Sequence, residues 1–302
     1  MLKYVLMTPA RNEEAFIEEV IRSVVSQSQT PEKWIIISDG STDRTDEIVK
    51  KWSEQYPWIQ LLRMPERRER HFGGKAHGLN TGYALLKDVH FDLVGCLDSD
   101  LTFDSDYFSF LLQKFSENSR LGVAGTPFME NGRLFYDYRY MSLDHVSGAC
   151  QVFRRQCFEQ IGGFTPVKAG VDLIAVISAR MHGWETRSFL EKVAVHHRKM
   201  GTAKHNPLSV KLNVGRQDYS MGADPFWELF RGTYQMLKKP YVIGGLMLLW
   251  GYYTSLLKGD PRPVSSAFIA FRRREQLTRL RRLVRKPFDF LAIRPGKGAV
   301  EC

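Results

Sequence analysis

Trp34-Ile35-Ile36-Ile37-Ser38-Asp39-Gly40-Ser41-Thr42-Asp43 runs from an apolar stretch straight into a polar, glycine-containing turn, and Thr42 to Trp52 then follows helical spacing. The same texture recurs on both sides. Tyr4 to Met7 precedes a helical pattern over Glu13 to Ser26, Ile59 to Leu62 precedes another over Lys75 to Leu86, and Phe91 to Leu97 closes the series. Strands alternating with helices in this way predict an α/β fold with a mostly parallel sheet and right-handed crossovers, Rossmann-like and flanked by helices. Asn12 before Glu13-Glu14, and Ser41-Thr42 before Asp43, are expected to cap the helices that follow.

Ligands of open α/β sheets gather beyond the carboxyl ends of the strands. Here those ends carry Thr8-Pro9-Ala10-Arg11-Asn12-Glu13, Ser38-Asp39-Gly40-Ser41-Thr42-Asp43 and Asp98-Ser99-Asp100. After Asp100 the pattern turns mixed. A helix is expected near Ser105 to Phe115, short strands around Val123 and Cys150 to Phe153, and helices near Arg155 to Ile161 and Val171 to Met181. That texture suits a second, partly antiparallel half for an acceptor. The organisation expected is a catalytic domain over 1–215, its nucleotide-binding half 1–100 and its acceptor half 101–215, followed by a helical, basic extension over 216–302.

Bulk properties bound the function classes. A chain of 302 residues, 43% hydrophobic and 25% charged, with no low-complexity tract or internal repeat, buries one large core and an appendage. Cys96, Cys150, Cys157 and Cys302 form no Cys-x-x-Cys pair, so neither a zinc site nor a disulfide framework is indicated, and a reducing cytoplasm is expected. The apolar run Tyr4 to Met7 is too short for a signal peptide. Of the formal charge of +10, the segment from Lys258 onward holds +8, with 12 Lys and Arg against 4 Asp and Glu.

The extension reads as an amphipathic helix over Phe226 to Leu237, an uncharged stretch of 18 residues from Pro240 to Leu257, and an arginine-rich helix from Arg272 to Lys286. Glycines at 244, 245 and 251 interrupt the uncharged stretch, and Trp250, Tyr252 and Tyr253 suit a headgroup zone. Lys238, Lys239 and the arginines flank it. An interfacial or re-entrant anchor on the cytoplasmic face of a membrane is therefore expected ahead of a full span, with a buried helix at a dimer contact as the alternative.

Asp98 and Asp100, one residue apart at a strand end, can share a hard divalent cation, Mg²⁺ or Mn²⁺, that keeps positions open for substrate phosphate. A turn or helix cap is the competing role for such a pair. Asp39 stands where nucleotide folds place the acid that binds base or ribose. Gly73-Gly74-Lys75, with Asn80 one turn on, sets a flexible turn and a cation at a helix start, suited to phosphate.

Together Pro9-Ala10-Arg11-Asn12-Glu13, Ser38-Asp39-Gly40-Ser41-Thr42-Asp43, Gly74-Lys75-Ala76-His77-Gly78-Leu79-Asn80 and Asp98-Ser99-Asp100, in this order, resemble family 2 glycosyltransferases of the GT-A fold. The resemblance covers roughly residues 3 to 200, with Ser147-Gly148-Ala149, Phe153-Arg154-Arg155 and Ile161-Gly162-Gly163-Phe164 in its second half. It implies a metal-dependent, inverting transfer of a hexose from a UDP- or GDP-linked sugar. Thr8, Pro9, Arg11, Glu13, Asp39, Lys75, Asn80, Asp98 and Arg198 would bind the donor, and Asp98 and Asp100 the metal, with His196 or His197 as a further ligand. The family's acidic pair falls on Val171-Asp172, so only its Asp remains, and Asp172 is the implied general base; capping the helix Leu173 to Met181 is its alternative role. The membrane segment points to a lipid-linked or polysaccharide acceptor, and an oligomer is possible. Two rival readings are a nucleic-acid binder using the arginine-rich helix and a sugar-nucleotide nucleotidyltransferase. The latter would place a Gly-rich, basic loop where Pro9-Ala10-Arg11-Asn12-Glu13 stands, and the former leaves the acidic clusters unexplained.

Overall fold

A computed structural model describes residues 2–65, 72–136, 138, 141–198 and 206–285. Lys286 and Cys302 lie outside them. Along the chain the elements are β1 (Tyr4–Ala10), α1 (Ile17–Val25), β2 (Lys33–Ser38), α2 (Thr45–Gln55), β3 (Ile59–Arg63), α3 (Phe72–Ala84) and β4 (Leu93–Leu97). There follow β5 (Leu101–Thr102), α4 (Tyr107–Glu117), β6 (Leu121–Gly125), β7 (Phe128–Glu130), β8 (Arg133–Leu134), β9 (Cys150–Arg154), α5 (Arg155–Gln160) and α6 (Val171–Met181). The last are β10 (Glu185–Ser188), β11 (Ala194–His196), α7 (Pro207–Ser220), α8 (Pro225–Met236), α9 (Ile243–Lys258) and α10 (Ser266–Arg285).

A seven-stranded sheet runs β10-β6-β9-β4-β1-β2-β3. The strands β4, β1, β2 and β3 are mutually parallel, as the alternating pattern predicts, and β9 is antiparallel to both of its neighbours. A smaller sheet, β5-β11-β7-β8, adds the mixed half. β1 and β2 read as continuous apolar runs because helices cover both faces of the sheet. On one side α1 buries Ile17, Val20, Ile21 and Val24, a helical stripe, in a core shared with Tyr107, Phe108 and Leu111 of α4. On the other, Gly78 and Gly82 let α3 close on Ile37, where an added Cβ would come within 3.1 Å of that side chain.

The expected caps do something else. α1 and α2 start after Phe16 and Arg44 with no side-chain cap. Instead, the parallel pairing of β1 and β2 sets their loops side by side and the polar residues bond across. Thr42 N–H donates to Asn12 Oδ1 at 2.8 Å, Asn12 N–H to Ser41 Oγ at 3.1 Å, Glu13 N–H to Thr45 Oγ1 at 2.8 Å, and Glu14 N–H to Asp43 Oδ2 at 3.0 Å. Asn12 takes φ of +56° to do so.

The chain packs as two compact units, Met1–Ala203 and Lys204–Cys302, so the boundary lies ahead of the expected 215. The reason is α7, which packs on α9 within the second unit. A Cβ on Gly215 would stand 2.0 Å from Leu248 C=O, and one on Gly251 2.0 Å from Leu212 C=O, so the helices touch backbone to backbone. Of the aromatics expected at a headgroup zone, Tyr252 is buried and donates to Ala223 C=O at 2.6 Å, while Tyr253 donates to Pro225 C=O at 2.9 Å; Trp250 alone points outward. The arginine-rich helix is likewise partly internal. Arg272 is buried and pairs with Asp218 at 3.0 Å. Among the described residues no helix is long and apolar enough to cross a membrane.

Asp218 also pairs with Arg231, which lies 3.5 Å from Glu228 Oε1. Burial, and next the charge of Asp218, push the Glu228 carboxyl up to about 8 against the pull of Arg231 and Arg272. The native protein thus keeps a proton that the unfolded chain releases near 4.5, so this group lowers stability as pH climbs from there to about 8, and not beyond. Glu228→Gln is expected to flatten that fall; denaturant melts of wild type and variant across the interval would show it, and parallel curves would refute it.

Candidate active site

The β4–β9 ladder continues one residue past the strand, with Asp98 N–H donating to Ala149 C=O at 2.9 Å, which fixes Asp98 beside the turn at 146–149. Its Oδ1 lies 2.6 Å from Lys75 Nζ in the first turn of α3. Burial alone would lower the Lys75 ammonium pKa, but Asp98, Cys96 and Asp172 outweigh it and hold it above its ordinary value. Asp100 is buried. Its Oδ1 faces His196 Nε2 at 3.4 Å and its Oδ2 faces Arg198 Nε at 3.7 Å. The Arg198 guanidinium also pairs with buried Glu13 and sits over the Phe16 ring at 5.4 Å. Lys75, Asp98, Asp100, His196, Arg198 and Glu13 therefore form one charged cluster.

Strand geometry separates the two histidines. His196 on β11 pairs in register with Leu101 of β5, and its side chain turns inward toward Asp100. Neighbouring side chains point to opposite faces, so His197 turns away: its Nε2 is 2.8 Å from Thr102 Oγ1, and its ring stacks on Phe16 at 6.5 Å. His197 is thereby removed from the metal set. Among the described residues His196 Nδ1 is buried without a hydrogen-bond partner.

Asp172 lies in the first turn of α6, which is preceded by Gly170 in the left-handed region and has no side-chain cap. The capping alternative fails, since the helix already begins at Val171 and the carboxylate points elsewhere. It points at Gly148, where an added Cβ would stand 2.4 Å from Asp172 Oδ2. Gln151, buried on β9, donates to Val146 C=O at 3.1 Å and to Asp172 C=O at 3.4 Å, tying the turn to the helix start. Burial, and next the Asp172 charge, push the Tyr136 phenol up to about 12. Gly148, Gln151 and Tyr136 were not among the expected site residues. A glutamine inside the apolar run Cys150 to Phe153 is the signal that marks one of them.

At the ends of β1 and β2, Arg11 Nη1 stands 3.7 Å from Asp39 Oδ2, and Asp39 N–H donates to Ala10 C=O at 2.9 Å, so both lie on the same sheet edge. Pro9 is half-buried beside Ile37. Two expected donor contacts are corrected. Thr8 is fully buried and accepts Trp34 Nε1–H at 2.9 Å, a core contact. Asn80 uses both ends of its amide on the Phe164 backbone, at 2.8 and 3.0 Å, pinning α3 to the segment after α5.

Asp98, Asp100 and His196, the inward of the two histidines, are the oxygen and nitrogen donors that the resemblance assigns to a hard divalent cation. Among the described residues no group of three or more His, Cys, Asp and Glu side chains is placed to hold a metal ion by itself. A hard divalent cation there would also need ligand oxygens from substrate phosphate or water. The Asp100 carboxyl is held above the usual range by burial and then by the charge of Asp98, the like-charge crowding that a cation relieves.

Poly-beta-1,6-N-acetyl-D-glucosamine synthase of Staphylococcus aureus is 28% identical to this chain over 205 residues, 66% of this chain and 47% of the relative. The Staphylococcus epidermidis protein of that name is 31% identical over 121 residues, 40% of this chain and 27% of the relative. The chain spans about half the length of the S. aureus synthase it matches, 47% of it. Among solved structures, the mannosyltransferase PcManGT of Pyrobaculum calidifontis, in complex with GDP-Man and Mn²⁺, superposes with a TM-score of 0.58 at 17% identity, covering 96% of this chain and 83% of its own. Residues 1–349 of S. aureus TarS, in complex with UDP-GlcNAc, superpose with a TM-score of 0.53 at 14% identity, covering 85% of this chain and 73% of that one. At those identities the likeness is one of fold, and the fold is the GT-A type that the motifs imply. The model of "Glycosyl transferase family 2" matches residues 5–170, more than half of the sequence and every motif up to Gly163-Phe164, so the chain belongs to glycosyl transferase family 2.

Proposed function

We propose that this chain is an inverting glycosyltransferase that moves a hexose or N-acetylhexosamine from a nucleoside-diphosphate sugar to a hydroxyl of a lipid-linked or polysaccharide acceptor. One observation carries the reading: Lys75, Asp98, Asp100, His196, Arg198 and Asp172 gather at the carboxyl end of a parallel sheet, with Arg11 and Asp39 on the same edge. Arg11 and Asp39 would hold the nucleoside. Lys75 and Arg198 bring positive charge to the diphosphate, which gains negative charge as it departs. Asp172 accepts the proton of the attacking hydroxyl. A Mn²⁺ or Mg²⁺ ion held by Asp98, Asp100 and His196 would supply further charge neutralisation on the diphosphate. Among relatives, the GlcNAc polymer synthases and the UDP-GlcNAc complex of TarS make UDP-GlcNAc the first donor to try. An acceptor of this class would place the reaction at the cytoplasmic face of a membrane, in keeping with the apolar helices of the second unit.

The test is calorimetric titration with UDP, GDP, ADP and UDP-GlcNAc, each with and without Mn²⁺, followed by transfer assays with the tightest donor. Binding of a uridine or guanosine nucleotide strengthened by Mn²⁺ is expected. No binding of any of them would overturn the proposal. A second expectation concerns Gly148→Ala, whose methyl would meet the Asp172 carboxylate at 2.4 Å. A displaced base of this kind lowers turnover on the order of 100-fold while nucleotide affinity stays put. Steady-state rates and titrations on one preparation separate the two, and unchanged turnover would refute it.

A further inference from the structure

Helices α8 and α9 form an antiparallel hairpin, tied by Tyr253 Oη–H to Pro225 C=O at 2.9 Å and by Gly245, whose added Cβ would meet Gly232 C=O at 2.4 Å. Each helix has a packed side and a bare apolar side. On α9 the buried residues Gly244, Gly245, Leu248, Gly251 and Tyr252 share one face, which α7 and α8 cover. Exposed Ile243, Leu246, Trp250 and Leu257 fall at i, i+3, i+7 and i+14, a single stripe on the opposite side. On α8 exposed Phe226, Leu229 and the following Leu237 form a matching stripe at i, i+3 and i+11. Phe226 is 71% exposed, Leu237 70% and Trp250 65%. In an antiparallel pair, two stripes turned to the same hand of the contact line come to one side, so they make one apolar face. Exposed Tyr241 and Val242 in the connecting turn close its end.

A contiguous apolar face of this extent marks an interaction site rather than scattered surface residues. Its charge complement selects the partner. Glu228 is the sole acid between Pro225 and Lys258 and is fully buried, whereas Lys238 and Lys239 stand at the hairpin turn and Lys258 at the far end. Two copies of the face would bring these like charges together. An anionic lipid surface instead meets both parts: lysines reach the headgroups while Trp250, Leu246 and Phe226 enter the acyl boundary. Neither helix can span, because α9 rises only about 24 Å against about 30 Å of hydrocarbon. The geometry points to the outer face of the α8–α9 hairpin as a surface that lies flat on an anionic bilayer. This deepens the membrane-linked acceptor reading given above and rests on it.

The test is co-sedimentation of the full chain with phosphatidylcholine vesicles and with vesicles containing phosphatidylglycerol, at low and at high salt. Wild type should pellet with the anionic vesicles, and less so at high salt. The double variant Leu246→Ser, Trp250→Ser should lose at least about tenfold of that partitioning, and Lys238→Glu, Lys239→Glu should lose the preference for anionic lipid. Wild type left in the supernatant at low salt, or variants that pellet like wild type, would overturn the assignment. So would light scattering that shows a lipid-free dimer dissolved by the Leu246 and Trp250 changes. UDP binding measured on the same samples separates this surface from the donor site: wild type that binds UDP but no vesicles counts against the surface alone, and variants that lose the vesicles while keeping UDP support it.

Discussion

Asp172→Asn should lower transfer by roughly 10²- to 10⁴-fold, the contribution of a general base, while the nucleotide sugar binds within a few fold of wild type. The amide keeps the size of the carboxylate but cannot take up the acceptor's proton. The backbone at the helix start does not depend on the charge. α6 has no side-chain cap, Gly170 supplies the left-handed turn before it, and Gln151 grips the Asp172 carbonyl rather than its carboxylate. By the resemblance the family's acidic pair is reduced here to one member, with Val171 in the place of the other. Val171 is 3% exposed and belongs to the apolar side of α6, so a carboxylate there would need a buried partner. In the proposed mechanism proton acceptance would therefore fall on Asp172 alone, beside Lys75 and behind the bare Cα of Gly148. Single-turnover kinetics with the donor saturating would isolate the chemical step, and a wild-type rate would remove Asp172 from the mechanism.

The sheet and the acidic edge were legible because both depend on local pattern: apolar runs of strand length, helical spacing between them, and polar clusters where strands end. The single-residue assignments that failed depend on contacts distant in sequence. Thr8 sits inside a donor motif, yet Trp34 from the neighbouring strand claims its hydroxyl. Asn80 sits inside another, and Phe164 claims its amide. His196 and His197 were indistinguishable until β11 paired with β5 and set the register. The helix caps failed for a related reason, since Asn12 and Thr42 found each other across two loops that only the parallel pairing of β1 and β2 brings together. Sequence spacing also could not show that Tyr252 bonds Ala223 and that Gly215 admits α9, and with them the second unit begins before α7.

Asp100→Ala should weaken Mn²⁺-supported nucleotide binding on the order of 100-fold and leave binding in the presence of chelator nearly unchanged. The same substitution should not destabilise the fold appreciably. Asp100 is held above the ordinary carboxylate range by burial and by Asp98, which means that its charge is unfavourable in the protein without an ion, even with His196, Arg198 and Lys75 nearby. Removing it relieves that repulsion, and Arg198 keeps Glu13 as a partner. A residue whose loss costs ligand binding but not stability is one retained for what it binds. The raised pKa also fixes the direction of the pH effect. In the proposed site protons would compete with the cation for Asp100, so as pH falls the metal-supported affinity should begin to drop before an ordinary carboxylate near 3.8 would protonate. Melting curves with chelator, with Mn²⁺, and with Mn²⁺ plus UDP would read all of this at once. Wild type should gain Tm in the last condition and Asp100→Ala should not; equal nucleotide affinity of wild type with and without Mn²⁺ would dismiss the metal set altogether.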